Sequence, residues 1–327
     1  MPSGGIRDRV VEETPICVLD LETTGLTAGG DRVVELSLVR IAPGQEPKLI
    51  LDTLVNPRRH VTATEIHGIT DADVADAPTF PMIAGDLVRT MAGSVVAAYN
   101  VYFDMRFLEF ELGAVGIAQQ PPHFCLMYMR PMLGLGNRCP LGEACRCHNL
   151  NLADAHKSGA DALASAQLMA IYLVEMKRKG IRTFGDVASL KSYKFLESFE
   201  YAPFTSDLAR DIPPCNRRKP RSMRSAADTL PSTATAAAIP HNPLVDYWES
   251  LKVVLADLEI TSDEVTALVE KKNQLGLSDE AVRALHAKAF LGILSRFSQD
   301  AKIDNRECQA LRRLYQCLSR LGWAPGQ

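Results

Sequence analysis

The chain has 327 residues, 36 Lys and Arg against 39 Asp and Glu, and 46% hydrophobic content. At roughly 100 to 200 residues per domain this suggests about two domains with cores of their own. It excludes a wholly disordered or fibrous chain. No run approaches the ~20 apolar residues of a membrane span, and the opening MPSGGIRDRVVEETP lacks a signal core, so a soluble cytoplasmic protein is expected. The eight cysteines are too sparse for a disulfide scaffold and fit a reducing compartment. Charge is uneven: residues 1–211 carry 20 basic and 26 acidic side chains, residues 212–243 carry 5 and 1, and residues 244–327 carry 11 and 12. The acidic first segment is no generic basic nucleic-acid binder, and any phosphate contact it makes must be local or carried by metal cations.

In chain order, ICVLDLE, VVELSLVRI and KLILDTLVNP are short aliphatic and β-branched runs that predict three strands, and SVVAAYN predicts a fourth. FDMRFLEFELGAVG and DALASAQLMAIYLVEMKRKG show helical spacing, the second stopped by Gly180. This order describes a mixed sheet covered by helices. DIPPCNRRKPRSMRSAADTLPSTATAAAIPHNP, with five basic residues between Arg217 and Arg224, reads as a flexible linker. Four amphipathic stretches then predict a small all-helical domain. Thr261 or Ser262, and Ser278, stand as N-caps before acidic first turns.

Three segments hold candidate chemistry. Asp20 and Glu22 in ICVLDLETTGL lie two apart on a strand, so both point to one face about 6.6 Å apart along the chain. Two anions aimed one way need a cation, and hard oxygen donors suit Mg²⁺ or Mn²⁺. Asp104 follows the fourth strand where a helix opens, a place an acid also occupies for the helix dipole. Asp161 follows Ser158 by three residues at a helix start, which alone reads as a capping box, and His156 lies in the polar loop before it.

Together the segments run D-x-E, N-x-x-x-D, H-x-x-x-x-D. With LDLETTGL, DRVVEL, IHGIT followed by DAPTF, and AYNVYFDMRFL, residues 14–180 resemble the DEDDh family of 3′-to-5′ exonucleases, which includes the DnaQ-like proofreading enzymes. The resemblance implies an α/β fold, a ribonuclease-H-like mixed sheet flanked by helices, here followed by the small all-α domain. It implies that Asp20, Glu22, Asp104 and Asp161 hold two Mg²⁺ or Mn²⁺ ions around the scissile phosphate, with His156 as general base. Thr23, Thr24, Leu26, His67 and Asn100 then look like contacts to the terminal nucleotide. The expected substrate is nucleic acid with a free 3′ end, DNA before RNA. An exoribonuclease, or a scaffold without catalysis, is the alternative.

Cys139, Cys145, Cys147 and His148 invite a zinc reading, but C-x5-C-x-C-H leaves too little chain between the last cysteines for a good tetrahedral site, so structural cysteines are expected. The basic cluster could touch a phosphate backbone or stay solvated. The C-terminal helices, through DLEITSDEV, LGLSDEAVRALH and DAKIDNRECQALRRLYQCLSRLG, resemble TerB-like domains. Asp300 is followed by Ala301 where that family has Gly, so metal binding by Asp300, Asp304 or Glu307 is not expected, and packing or a protein partner is. The expected organisation is an N-terminal tail (1–13), an exonuclease domain (14–200), a linker (201–243) and a helical TerB-like domain (244–327), with no membrane contact.

Overall fold

A computed structural model describes residues 5–26, 28–152, 157–212, 242–256, 261–297 and 305–324. The basic cluster Arg217–Arg224, Asp300, Asp304 and the Glu307 side chain lie outside the described residues. The chain divides into two compact units, residues 1–24 with 32–234 and residues 25–31 with 235–327.

The first unit is built on β1 (Ile16–Thr23), β2 (Val33–Ile41), β3 (Lys48–Leu54), β4 (Val95–Ala98) and β5 (His123–Cys125), in the order β3-β2-β1-β4-β5. β1 runs antiparallel to β2 and parallel to β4; β2 and β3 are antiparallel, β4 and β5 parallel. This is the ribonuclease-H-like mixed sheet. β1 is central because it is apolar on both faces: Cys17, Val18 and Leu19 are fully buried.

Between β3 and β4 lie α1 (Thr64–His67), α2 (Asp71–Val74) and α3 (Phe80–Met91). Val34, Val61, Ile69 and Val74 form a small core that anchors this excursion to the edge of the sheet. α4 (Val101–Gly113) follows β4; α5 (Leu126–Met132) and α6 (Leu141–Cys147) follow β5; then come α7 (Ser158–Arg178) and α8 (Phe184–Leu190). α7 lies across β1, β2 and β3. Its first half is rich in small residues, with Ala162, Ala164, Ser165 and Ala166 buried, so the helix backbone can approach the sheet closely.

The boundaries shift from those read in the sequence. Residues 5–13 are no loose tail: Ile6 is fully buried, its N–H donates to Phe199 O at 2.8 Å, and Val10 bridges Thr183. At the other end, residues 201–212 pack on the first unit. Phe204 is buried, and Arg89 of α3 donates to Ala209 O and Ile212 O. The segment YAPFTSDLARDI carries its own apolar anchors, Phe204 and Ala209 among them, and so belongs with the first unit and not with the linker. β5 is only three residues long, and the sequence pattern does not reveal it.

The second unit holds α9 (Pro243–Leu255), α10 (Ser262–Gln274), α11 (Asp279–Phe297) and α12 (Asn305–Arg320). Thr261 is the α10 N-cap, accepting from Glu264 N while Glu264 accepts from Thr261 N, and Ser278 accepts from Ala281 N. No described helix is long and apolar enough to cross a membrane.

Candidate metal centre

Asp20 and Glu22 stand near the carboxyl end of β1, where open α/β sheets bind ligands. In the β1–β2 register Asp20 faces Ser37 and Glu22 faces Glu35, and in the β2–β3 register Ser37 faces Asp52. Directly opposite residues share a sheet face, so four carboxylates and a serine line the face that α7 covers. Just beyond Glu22 the register slips, Thr23 pairing with Val33, so Val34 is an extra residue in β2. Such a bulge strengthens the local twist and ends the regular pairing next to the two acids.

Asp161 comes from α7. The helix begins with Lys157 as N-cap, whose side chain makes no capping bond, so Ser158 is the first helical residue and the Ser158–Asp161 capping box does not form. The cap is supplied across the fold instead: Glu35 Oε2 accepts from Ser158 N at 2.9 Å. Ser158 Oγ lies 2.6 Å from Ser37 Oγ, which donates to Asp52 Oδ1 at 2.7 Å. The Ser158 hydroxyl also hydrogen-bonds the Glu35 carboxylate, so the two serines and the two carboxylates form one network. Both serines are fully buried. A Cβ on Gly159 would stand 3.2 Å from both Asp52 oxygens, so a glycine there lets the helix start sit against that carboxylate.

Asp20, Glu22 and Asp161 each offer an oxygen within 4.8 Å of the others; Asp20 and Glu22 are half-buried and Asp161 is buried. Asp104 is not in that group. It is buried in the first turn of α4, whose N-cap is Asn100. His156 lies outside the described residues.

Thr23 and Thr24 are buried, and Leu26 is half-buried. Thr24 closes the loop after β1: its N–H donates to Arg32 O at 2.9 Å, its Oγ accepts from Arg32 N at 3.1 Å, and its carbonyl accepts from the Thr62 hydroxyl. Both ring nitrogens of buried His67 are used locally. Nδ1 accepts from Ile69 N at 3.0 Å, which leaves Nε2 to donate to Thr62 O at 3.2 Å. Asn100 Oδ1 is buried without a hydrogen-bond partner among the described residues. Of the cysteines weighed for zinc, Cys139 and Cys145 are buried and Cys147 exposed.

The face is anionic, and its neighbours respond to that charge. Burial, and then the neighbouring Asp52 charge, push the Glu35 carboxyl up against the Ser158 N–H that favours its ionised form. Burial and the Asp161 charge push the Cys145 thiol up to about 11, so Cys145 is neutral beside the cluster. Several carboxylates crowded on one face repel each other and any phosphate; a hard divalent cation relieves both effects, and the all-oxygen donor set fits Mg²⁺ or Mn²⁺. The Glu35, Ser37, Asp52 and Ser158 network is not assigned a role by sequence motifs. Its signal there is polar residues two apart within otherwise apolar strands, in VVELSLVRI and KLILDTL.

Residues 17–169 match the family RNase_T, described as "Exonuclease". A DNA polymerase III subunit epsilon-like protein of Rhodobacter capsulatus is 31% identical over 192 residues, covering 55% of this chain and 27% of that protein. The PolC-type DNA polymerase III of Bacillus subtilis is 31% identical over 182 residues, covering 53% of this chain and 12% of that protein. The chain thus spans about a quarter or less of the length of these two relatives. A crystal structure of E. coli exonuclease I with a dA16 oligonucleotide overlaps with a TM-score of 0.42 at 16% identity, covering 51% of this chain and 42% of that one.

Proposed function

Residues 17–169 belong to the exonuclease family, and from that premise we propose that the protein is a metal-dependent 3′-to-5′ exonuclease that releases nucleoside monophosphates from DNA 3′ ends. The observation that carries this reading is the approach of Asp20, Glu22 and Asp161 to within 4.8 Å of one another from two separate elements. A lone D-x-E is weak support; the same pair met by a third carboxylate from α7 is stronger support for this reading.

In this reading Asp20 and Glu22 present their carboxylates from one face of a central strand, Asp161 closes the site from α7, and Asp104 adds a carboxylate from α4. Mg²⁺ or Mn²⁺ held by these carboxylates would supply acidification of the attacking water and charge neutralisation at the phosphate. His156 serves as the general base that accepts the proton of the attacking water. Thr23, Thr24, Leu26, His67 and Asn100 shape the wall that receives the terminal nucleotide. The helical unit, residues 244–327, recruits a protein partner or a longer substrate.

The test is digestion of matched 3′-end-labelled single-stranded DNA and RNA in Mn²⁺ by the wild type and by Asp20→Ala and Glu22→Ala. Stepwise mononucleotide release from DNA is expected, falling by about 10³-fold or more in each variant with folding kept. A variant that retains more than about a tenth of the wild-type rate overturns the metal assignment. Faster digestion of RNA moves the substrate to RNA, since only contacts to the 2′-OH separate the two.

A further inference from the structure

We infer that Glu35, with the Ser158–Ser37–Asp52 relay, is the positioning device of the metal site: it fixes the start of α7 and thereby the place of the Asp161 carboxylate. The inference rests on the metal-site reading above. The first-turn N–H groups of a helix have no partner within it, and α7 has no side-chain cap of its own. Glu35 Oε2, reached across 123 residues of chain, takes the Ser158 N–H at 2.9 Å and fixes how far the helix extends toward β2. Two contacts are needed to stop a helix end from pivoting. The second is the buried Ser158 Oγ to Ser37 Oγ contact, at 2.6 Å, tied on to Asp52 at 2.7 Å.

The leverage on Asp161 is direct. Asp161 lies three residues after Ser158, on the same side of the helix and about 4.5 Å along its axis. A shift of the helix start therefore moves the Asp161 oxygens by a similar amount, while Asp20 and Glu22 stay with the sheet. Metal coordination tolerates only a few tenths of an ångström. Two carboxylates at a helix N-terminus also meet the positive end of its dipole, so the dock is favoured electrostatically as well as by its hydrogen bonds. Glu35 stands outside the group whose oxygens converge within 4.8 Å, so its part is to hold a ligand in place.

Mn²⁺ binding to the full-length protein, followed by electron paramagnetic resonance, tests this without relying on turnover. Glu35→Ala removes the acceptor and should weaken Mn²⁺ binding by about 10 to 100-fold, while Glu35→Gln keeps a carbonyl oxygen for the Ser158 N–H and should stay within about threefold of wild type. That pair separates positioning from ligation, because a ligand would lose its charge in either variant. Unchanged binding in Glu35→Ala, or equal losses in both variants, overturns the inference. If Glu35→Ala does not fold, Ser37→Ala decides: it opens the relay and leaves Glu35 in place, so weaker Mn²⁺ binding supports the dock and wild-type binding overturns it. A wild type that binds no Mn²⁺, or an Asp161→Asn variant that binds as the wild type does, overturns the metal-site reading itself, and this inference with it.

Discussion

Arg32 and Glu111 show how one residue pair holds the neighbourhood of the site. Glu111, in the last turns of α4, has a side chain only 1% exposed, and it meets the guanidinium with two bonds, Nε to Oε1 at 2.7 Å and Nη2 to Oε2 at 2.5 Å. This bidentate geometry is the one Arg offers and Lys does not. The same contact holds the Arg32 pKa above its usual range. Because the Arg32 backbone also closes the loop at Thr24, the pair ties α4 to the base of the turn that follows Asp20 and Glu22. Removing Arg32 leaves a buried carboxylate uncompensated, a change that costs about 3–5 kcal/mol for a buried pair. Arg32 is 30% exposed, so a value at or below the lower end is expected. Arg32→Met should therefore lower the urea midpoint markedly, and Arg32→Met with Glu111→Leu should recover much of it, since the double variant strands no charge. A single variant within ~1 kcal/mol of wild type in urea unfolding would show that water reaches Glu111 freely.

Among the elements, the ones legible in the sequence are those whose pattern is local. β1, β2 and β4 read as strands because their aliphatic runs are continuous, and the caps of α10 and α11 read correctly because cap and partner lie three residues apart. Asp20 and Glu22 could be placed on one strand face from their spacing alone. Their meeting with Asp161 could not, nor could the capping of α7 by Glu35, since an acceptor 123 residues away leaves no trace in local spacing. The helical unit holds a comparable non-local pair in α9 and α11. Tyr247 OH and His286 Nε2 lie 2.9 Å apart, and both residues are fully buried. Burial, and then the Lys272 charge, lower the His286 pKa to about 4. The unfolded chain takes up this proton below about 6.5 while the folded unit refuses it until about 4, so stability contributed by the neutral histidine is lost as pH falls through that window. Asp279, lowered from 3.8, titrates below the window; Cys317, raised to about 11, and Tyr247, raised further, titrate above it. Between pH 7 and 5 the loss should be about 2 kcal/mol. Both tryptophans, Trp248 and Trp323, are buried in this unit, so their fluorescence in urea reports it alone. The midpoint should fall on acidification in the wild type and stay nearly level in His286→Gln; a wild-type midpoint equal at pH 7 and 5 would mean that the folded unit accepts the proton.

At the scale of the whole molecule, Asp20, Glu22, Asp104 and Asp161 all lie in the first unit, and the question is where that unit can be cut from the rest. The domain bounds read from the sequence put the cut at residue 200, although the linker composition itself begins only at Asp211. The packing puts it after Ile212. Phe204 is 1% exposed, Gln119 donates to Ala202 O at 3.1 Å, and Arg89 donates to Ala209 O and Ile212 O at 3.1 and 3.3 Å while also pairing with Asp86. α3 approaches this segment so closely that a Cβ on Gly85 would stand 2.9 Å from Ile212 Cγ2. A chain ending at Glu200 therefore uncovers the Phe204 site and strips Arg89 of two acceptors, a loss of several kcal/mol by the usual values for a buried aromatic and for charged hydrogen bonds. A chain ending at Ile212 loses neither. Beyond it, residues 213–243 offer few apolar side chains for docking, and the five basic residues among them contribute at most a salt-dependent pull on long strands. The Ile212 chain should accordingly fold and digest a five- to ten-nucleotide DNA at near the full-length rate in Mn²⁺, with weaker binding only to longer strands, whereas the Glu200 chain should melt well below it. Circular dichroism and mononucleotide release measured side by side check both; an Ile212 chain that is folded but inactive on the short strand would place part of the catalytic apparatus in the helical unit.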